Sequence, residues 1–397
     1  MILSFGIILL GGFIIGCLLS KIKIPGLVGM ILFGLFIGPQ CLNLIDKSVL
    51  NISSELRQIA LVIILTRSGL NLDFQSLKKI GRPAILLCFV PATVEIIGVT
   101  IASIFLLNLS VFESILLGTV LAAVSPAVVS PRMIELIEKK EGEEHQVPKL
   151  ILAGASMDDI FVVVLFYSFL GLVQNDVIDF KGISMVPVSI ILGILLGIVV
   201  GFLLSFIYKR LKTPLLTNVI ITLAMSFLCI GLENYLKKWI SISSLLAIMV
   251  LSMILLLKNE EQAKELSKGY NILWKVFEII LFVLVGASLD FKYVLENCFS
   301  ALAVLGIGLG FRCVGVLLSV IGTSLTWKER AFVIVSYLPK ATVQASIGGI
   351  ALSLGLHCGP TILMVSILAI LITAPLGAIL IDHLKSKLLN SLPCEVK

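Results

Sequence analysis

The sequence predicts an all-α polytopic membrane protein of about thirteen transmembrane helices, built as two inverted-topology six-helix repeats with discontinuous helices. Three observations carry this. Apolar runs of about 18 residues or more recur along the whole chain, and runs of that length cross a hydrocarbon core. A short motif returns at an offset of 217 residues, as "GLNLDF" from Gly69 and "GASLDF" from Gly286. Proline and glycine interrupt one span in each half at equivalent places.

Composition agrees with the membrane class. The chain is 58% hydrophobic and 14% charged, with a mean hydropathy of +1.13; soluble domains run nearer half apolar and a quarter charged. The longest hydrophilic segments, about 138–149 and 258–271, are loop-sized, so 1–397 is expected to form a single unit. The eight cysteines include no CxxC pair, and the three histidines (145, 357 and 383) are scattered. A zinc or haem site is therefore not expected, nor any other cofactor.

Taken in order, helices are expected at 2–20, 25–39, 53–70, 81–107, 112–138 and 148–172. A connector follows at 184–209, then helices at 214–236, 240–257, 272–288, 298–322, 328–354 and 360–384. The first lacks the basic start and clean cleavage site of a signal peptide, so it reads as a span. The second is short and bracketed by Pro25 and Pro39. The repeat offset lays 25–39 on 240–257 and 81–107 on 298–322. With a shift of about four residues it lays "VSPAVVS" (124–130) on "YLPKATV" (337–343). Repeat one is then 1–172 and repeat two 214–385, with 184–209 as linker. Partners lie seven helices apart, an odd number, so they cross the membrane in opposite directions.

Orientation follows from the basic residues. Of 30 lysines and arginines, 21 fall on the odd-numbered connections and the C-terminal tail. Six fall on the even-numbered connections, and Arg67, Arg312 and Lys340 lie within spans. This bias puts the N-terminus outside and the C-terminus in the cytoplasm. The net charge of +6 is the ordinary basic inner surface of a membrane protein and calls for no nucleic-acid partner.

The interruptions locate a site. Helix five carries Ser125-Pro126 and Ser130-Pro131; helix twelve carries Pro339, then Gly348-Gly349. Proline removes a backbone donor and clashes with the preceding turn. Unsatisfied backbone at membrane depth is tolerated only where it is buried in protein or lines a water-filled cavity. Pro126, Pro131 and Pro339 are therefore read as helix breaks beside a midplane site. Ser125 and Ser130 can add hydroxyl or carbonyl ligands there, or bond back to their own helix.

Five ionisable residues fall well inside spans: Glu95, Asp158, Asp159, Arg312 and Lys340. Each costs at least about 2.5–3.5 kcal/mol at the bilayer centre, so such residues are paired and mark function. Glu95 and Arg312 are separated by the repeat offset itself, which predicts an ion pair between helices four and eleven. The pair is a brace between the repeats or a coupled charge at the site. Asp158 and Asp159 are neighbours on helix six and point about 100° apart. One is expected to line the cavity while the other meets a partner such as Lys340. A carboxylate holds either a proton or a desolvated alkali cation, and that competition is sufficient for antiport. Three acids against two bases leave one net negative charge, which one proton or one small cation neutralises. Asp158 and Asp159 are thus the expected cation and proton site, with Lys340, Arg312 and Glu95 as its charge partners.

Four segments carry a resemblance that runs through essentially the whole chain: "TRSGLNLDF" (66–74), "VSPAVVSP" (124–131), "GASMDDI" (154–160) and "LPKATVQASIGG" (338–349). The chain resembles bacterial sodium/proton antiporters of the cation:proton antiporter superfamily, in the NHA-type (NapA-like) branch that also includes animal members. The resemblance implies an NhaA/NapA-like fold with crossed, discontinuous helices, and exchange of Na+ or Li+ for H+ by alternating access in the cell (inner) membrane. It implies a homodimer, with dimerisation helices in parts of 1–70 and 184–257 and an ion-carrying core in parts of 81–172 and 298–384. It matches Asp159 to the ion-binding aspartate and Asp158 to its neighbour. It matches Lys340 and Arg312 to the basic residues that pair with core acids, and Glu95 to the arginine's acid partner. One departure stands out: better-known electrogenic bacterial members carry a lysine where this chain has Arg312, so stoichiometry does not carry over. A K+/H+ exchanger is the alternative, and a sodium-coupled organic-anion symporter of similar fold a weaker one. The sequence holds no nucleophile–base set that would suggest an enzyme.

Overall fold

The computed structural model describes residues 1–22, 24–71, 81–174, 180–211, 214–236, 239–240 and 242–389; at 156, 160, 174, 180–187 and 211 it describes the backbone alone. The described residues form α-helices joined by short turns. The first half holds α1 (Ile2–Lys21), α2 (Gly26–Ile37), α3 (Lys47–Asn51), α4 (Ser53–Leu70), α5 (Arg82–Leu87), α6 (Val90–Leu106), α7 (Val111–Ala122), α8 (Pro126–Glu138) and α9 (Val147–Gln174). The second holds α10 (Phe180–Leu211), α11 (Leu215–Leu236), α12 (Ser244–Lys258), α13 (Glu260–Ala287), α14 (Phe291–Val320), α15 (Trp327–Ser336), α16 (Thr342–Ile347), α17 (Ile350–Ser353) and α18 (Gly359–Leu388). Among the described residues, nine helical stretches are long and apolar enough to cross a membrane, and α2 and α12 are shorter apolar helices.

Two boundaries differ from the expected ones. The hydrophilic segment 258–271, expected as a loop, is largely the first turns of α13. Asn259 accepts the Gln262 N–H, and Glu260 pairs with Lys264 one turn on at 2.7 Å, so the segment is helical without being apolar. Likewise α14 begins at Phe291 because Asp290 caps it, accepting from the N–H groups of Lys292 and Tyr293. Asp290 belongs to the second copy of the repeated motif; in the first copy, 72–74 lie outside the described residues.

The chain divides into two compact units, one of Met1–Ser54, Asp73–Phe166 and Ile279–Lys397, the other of Glu55–Leu72 and Tyr167–Glu278. In the second, α10 lies flat against α12. Cβ atoms added at Gly193, Gly197 and Gly201 would come within 2.5–2.7 Å of atoms of α12 or of Ser243, its N-cap, so the glycines set the approach. In the first, α6 packs along α14. Its Gly98 receives the Phe311 ring, and Gly315 of α14 sits against Pro91 and Val94. These are the repeat-equivalent helices four and eleven.

At the end of the α2–α3 connection, Asp46 caps α3, accepting from the Ser48 N–H at 2.9 Å, the Met1 ammonium at 3.0 Å and the Ser48 hydroxyl at 2.8 Å. Those donors hold its carboxyl down at about 2, against an ordinary 3.8. The folded value lies below the unfolded one. The cap therefore stabilises the fold above about pH 3.8, and its contribution is lost as pH falls toward 2. The Ser48 amide resonance is expected to titrate with a midpoint near pH 2; a midpoint near 3.8 would show that the cap does not hold.

Candidate functional site

Both interrupted spans are open where they meet. Between α7 and α8 the chain runs extended through Ala123 (φ −70°, ψ 140°) and Ser125 (φ −89°, ψ 109°). Between α15 and α16 it runs through Tyr337–Ala341, with Ala341 at φ −160°. Pro126 opens α8 at its first position, where no N–H is needed. Pro339 is buried in the second break. The expected break at Pro131 is absent: Pro131 lies inside α8. It removes one donor in a helix already restarted by Pro126, and one missing bond in that short helix does not open it. Ser130 is accordingly half-buried on continuous helix, five residues beyond the break.

Several of the freed backbone groups are satisfied across the two breaks. Ser125 N–H donates to Pro339 O at 2.8 Å. Gln344 Nε2 donates to Ala123 O at 2.8 Å and Leu121 O at 3.3 Å, while its Oε1 accepts the Ala341 N–H at 2.8 Å. Lys340 N–H donates to Thr373 Oγ1 at 2.8 Å. Val124 N–H donates to Asp158 Oδ2 at 2.9 Å. Arg312 donates to the carbonyls of Ala122 and Tyr337. Broken backbone at this depth is thus tied into protein, as a membrane interior requires.

The charges form a chain on this frame. Arg312 and Lys340 are fully buried. Arg312 reaches Glu95 Oε2 through Nη1 at 2.6 Å and Asp158 Oδ2 through Nη2 at 2.9 Å. Lys340 Nζ lies 2.7 Å from the same Glu95 Oε2. The expected Glu95–Arg312 pair is present. The expected partnership of Lys340 with the aspartates is not: Lys340 pairs with Glu95. The guanidinium is a planar fork that serves two carboxylates and two carbonyls together, so it takes Asp158 and leaves the single-point ammonium to Glu95. Asp159 stands apart. It makes no hydrogen bond or ion pair among the described residues, its Oδ1 is buried and unpartnered, and it is 4% exposed where Asp158 is 0%. Ser125 Oγ and Thr342 Oγ1, beside the breaks, are also buried without partners among the described residues.

Sequence reasoning missed Gln344, Thr342, Tyr337 and Thr373. Gln344 carried a legible signal, an amide inside an apolar span; the others are ordinary residues whose roles come from the crossing. Tyr337 lies over Arg312, ring centroid to Cζ 5.5 Å, and its seat depends on Gly154, one turn before Asp158. A Cβ at Gly154 would overlap Tyr337 Oη and lie 2.8 Å from Leu87 Cβ. Gly154→Ala is expected to cost about 1–3 kcal/mol by overpacking. The check is the melting midpoint in detergent, and an unchanged midpoint would show that Tyr337 has room to move.

Comparison with known proteins matches this arrangement to a family. The mouse protein "Sodium/hydrogen exchanger 9B1" is 33% identical over 412 residues, covering 97% of this chain and 71% of its own length. The human "Sodium/hydrogen exchanger 9B2" is 33% identical over 420 residues, covering 99% and 76%. In fold the chain is similar to the sodium proton antiporter MjNhaP1 from Methanocaldococcus jannaschii solved at pH 8, with TM-score 0.81, 22% identity and 98% of each chain covered. Residues 6–384 match the family described as "Sodium/hydrogen exchanger, transmembrane". With nearly the whole chain matched, and with helices broken and tied across each other around buried carboxylates, this protein belongs to the sodium/hydrogen exchanger family.

Proposed function

We propose that this protein exchanges Na+ or Li+ for H+ across the cell membrane, with Asp159 as the group that holds cation and proton in turn. The observation that carries this is the charge balance. Two buried bases serve two buried carboxylates, in the order Asp158–Arg312–Glu95–Lys340, and Asp159 is left without an ion pair among the described residues. A buried lone carboxylate is neutralised by taking up one proton or one hard monovalent cation, and the two exclude each other. Asp158 acts through the frame: it ties the first break to Arg312 and keeps the arginine away from Asp159. Ser125 Oγ is the nearest hydroxyl by sequence to the first break and joins the cation's ligands in this reading. Ser130, on continuous helix, is a weaker candidate.

The basic residues favour an outer N-terminus and a cytoplasmic C-terminus, and the family resemblance supports a homodimer. Proteoliposomes with an imposed proton gradient test the exchange directly. Na+ and Li+ should each dissipate the gradient with saturable kinetics. Movement of Na+ without protons would sink the reading, and a response to K+ equal to that to Na+ would turn it to the K+/H+ alternative.

A further inference from the structure

We infer that Gln344 is a specificity-determining residue, acting by withholding the carbonyl oxygens at the C-terminal end of α7 from the transported cation. The inference rests on the proposed exchange at Asp159 and adds what limits the ion that fits there.

The end of α7 is built to expose oxygens. The Leu121 carbonyl would bond to the N–H of Ser125, but that N–H donates to Pro339. The Ala122 carbonyl would bond to residue 126, which is proline and has no N–H. Ala123 is already extended. Three carbonyls, at the negative end of the helix dipole, are left in a buried site beside the aspartates. In transporters with broken helices such ends coordinate cations. Here every one is taken: Ala122 by Arg312, and Leu121 and Ala123 by the two hydrogens of the single amide of Gln344.

The Gln344 amide is fixed in this sense. Its Oε1 accepts the Ala341 N–H, so its nitrogen must face the carbonyls. The side chain is fully buried, and rotation of the amide would set oxygen against two oxygens. Among the described residues, the buried side-chain acceptors left unpartnered at the site are Asp159 Oδ1, Asp158 Oδ1, Glu95 Oε1, Ser125 Oγ, Thr342 Oγ1 and Tyr337 Oη. With three carbonyls taken, a cation has side-chain oxygens but not the end of α7 to coordinate it, which suits a proton or a small cation. A larger cation needs more coordinating oxygens, and carbonyl number is one lever of selection between K+ and Na+.

Gln344→Met keeps much of the volume and removes both donors. Gln344→Leu likewise removes both donors and adds no charge to the site. Both free the carbonyls, and the pair guards against one variant failing to fold. Proteoliposome exchange is measured with Na+, Li+ and K+ for each variant and for the unaltered protein. The expected result is a fall in the KM ratio of K+ to Na+ of at least about fivefold, the scale of redirecting one hydrogen-bonded acceptor, with a smaller change in maximal rate. An unaltered ratio in an active variant overturns the inference and makes Gln344 a brace of the crossing. So does a fall in rate for all three ions with their ratio kept. Absence of Na+/H+ exchange in the unaltered protein would instead overturn the reading of the site itself.

Discussion

Asp159→Asn is expected to abolish Na+-driven proton movement in proteoliposomes while leaving thermal stability in detergent unchanged or raised. The reason is its isolation. Asp159 has no donor, cation or carbonyl holding it among the described residues, so the substitution breaks no bond in the frame. It removes a buried charge that costs energy when uncompensated. The amide is of similar size, keeps one acceptor oxygen and cannot take up a proton near neutral pH. Asp158→Asn behaves differently: the amide oxygen can still accept the Val124 N–H, but Arg312 loses a carboxylate at 2.9 Å. Stability should fall there along with transport. Retained exchange in Asp159→Asn would remove the residue from the ion path. Loss of exchange together with a large drop in melting midpoint would recast it as part of the frame.

The second large effect is at Glu95. One carboxylate oxygen serves two fully buried cations, Arg312 at 2.6 Å and Lys340 at 2.7 Å. Glu95→Gln leaves both undercompensated, and removing one partner of a buried ion pair costs about 3–5 kcal/mol. The melting midpoint should fall more than for any of the site's other single carboxylate-to-amide changes. The shared oxygen also makes a charge swap instructive. Were Glu95 and Arg312 a simple brace, Glu95→Arg with Arg312→Glu would restore stability. Because Lys340 also rests on Glu95, the swap sets a new arginine against that ammonium and strips Asp158 of its partner, so no recovery is expected. Full recovery in melting experiments would show that Lys340 does not depend on Glu95.

Much of this protein follows from its sequence alone, for identifiable physical reasons. Membrane spans are legible because hydrocarbon admits only long apolar helices or closed barrels. Intramembrane charges are legible because their cost makes each one conspicuous against an apolar background. The 217-residue offset points to the pairing of Glu95 with Arg312, since equivalent positions of an inverted repeat can meet across its axis. The surplus of one carboxylate was a matter of counting.

Tertiary structure decided which carboxylate is the surplus one. Asp158 and Asp159 are chemically identical neighbours, and only the helix's rotation against α7 and α14 gives the first to Arg312 and Val124 and leaves the second without a partner among the described residues. Lys340 found Glu95 because the arginine fork had already taken Asp158, a competition set by distances that no spacing encodes. Pro131 reads like Pro126 in sequence, yet one opens a helix and the other sits within it, because a proline breaks a helix only where the freed groups find other partners. Arg312 and Gln344 supply those partners from other parts of the chain. Composition and period determined the class of this molecule and its list of charges; the crossing of two broken helices decided the use of each.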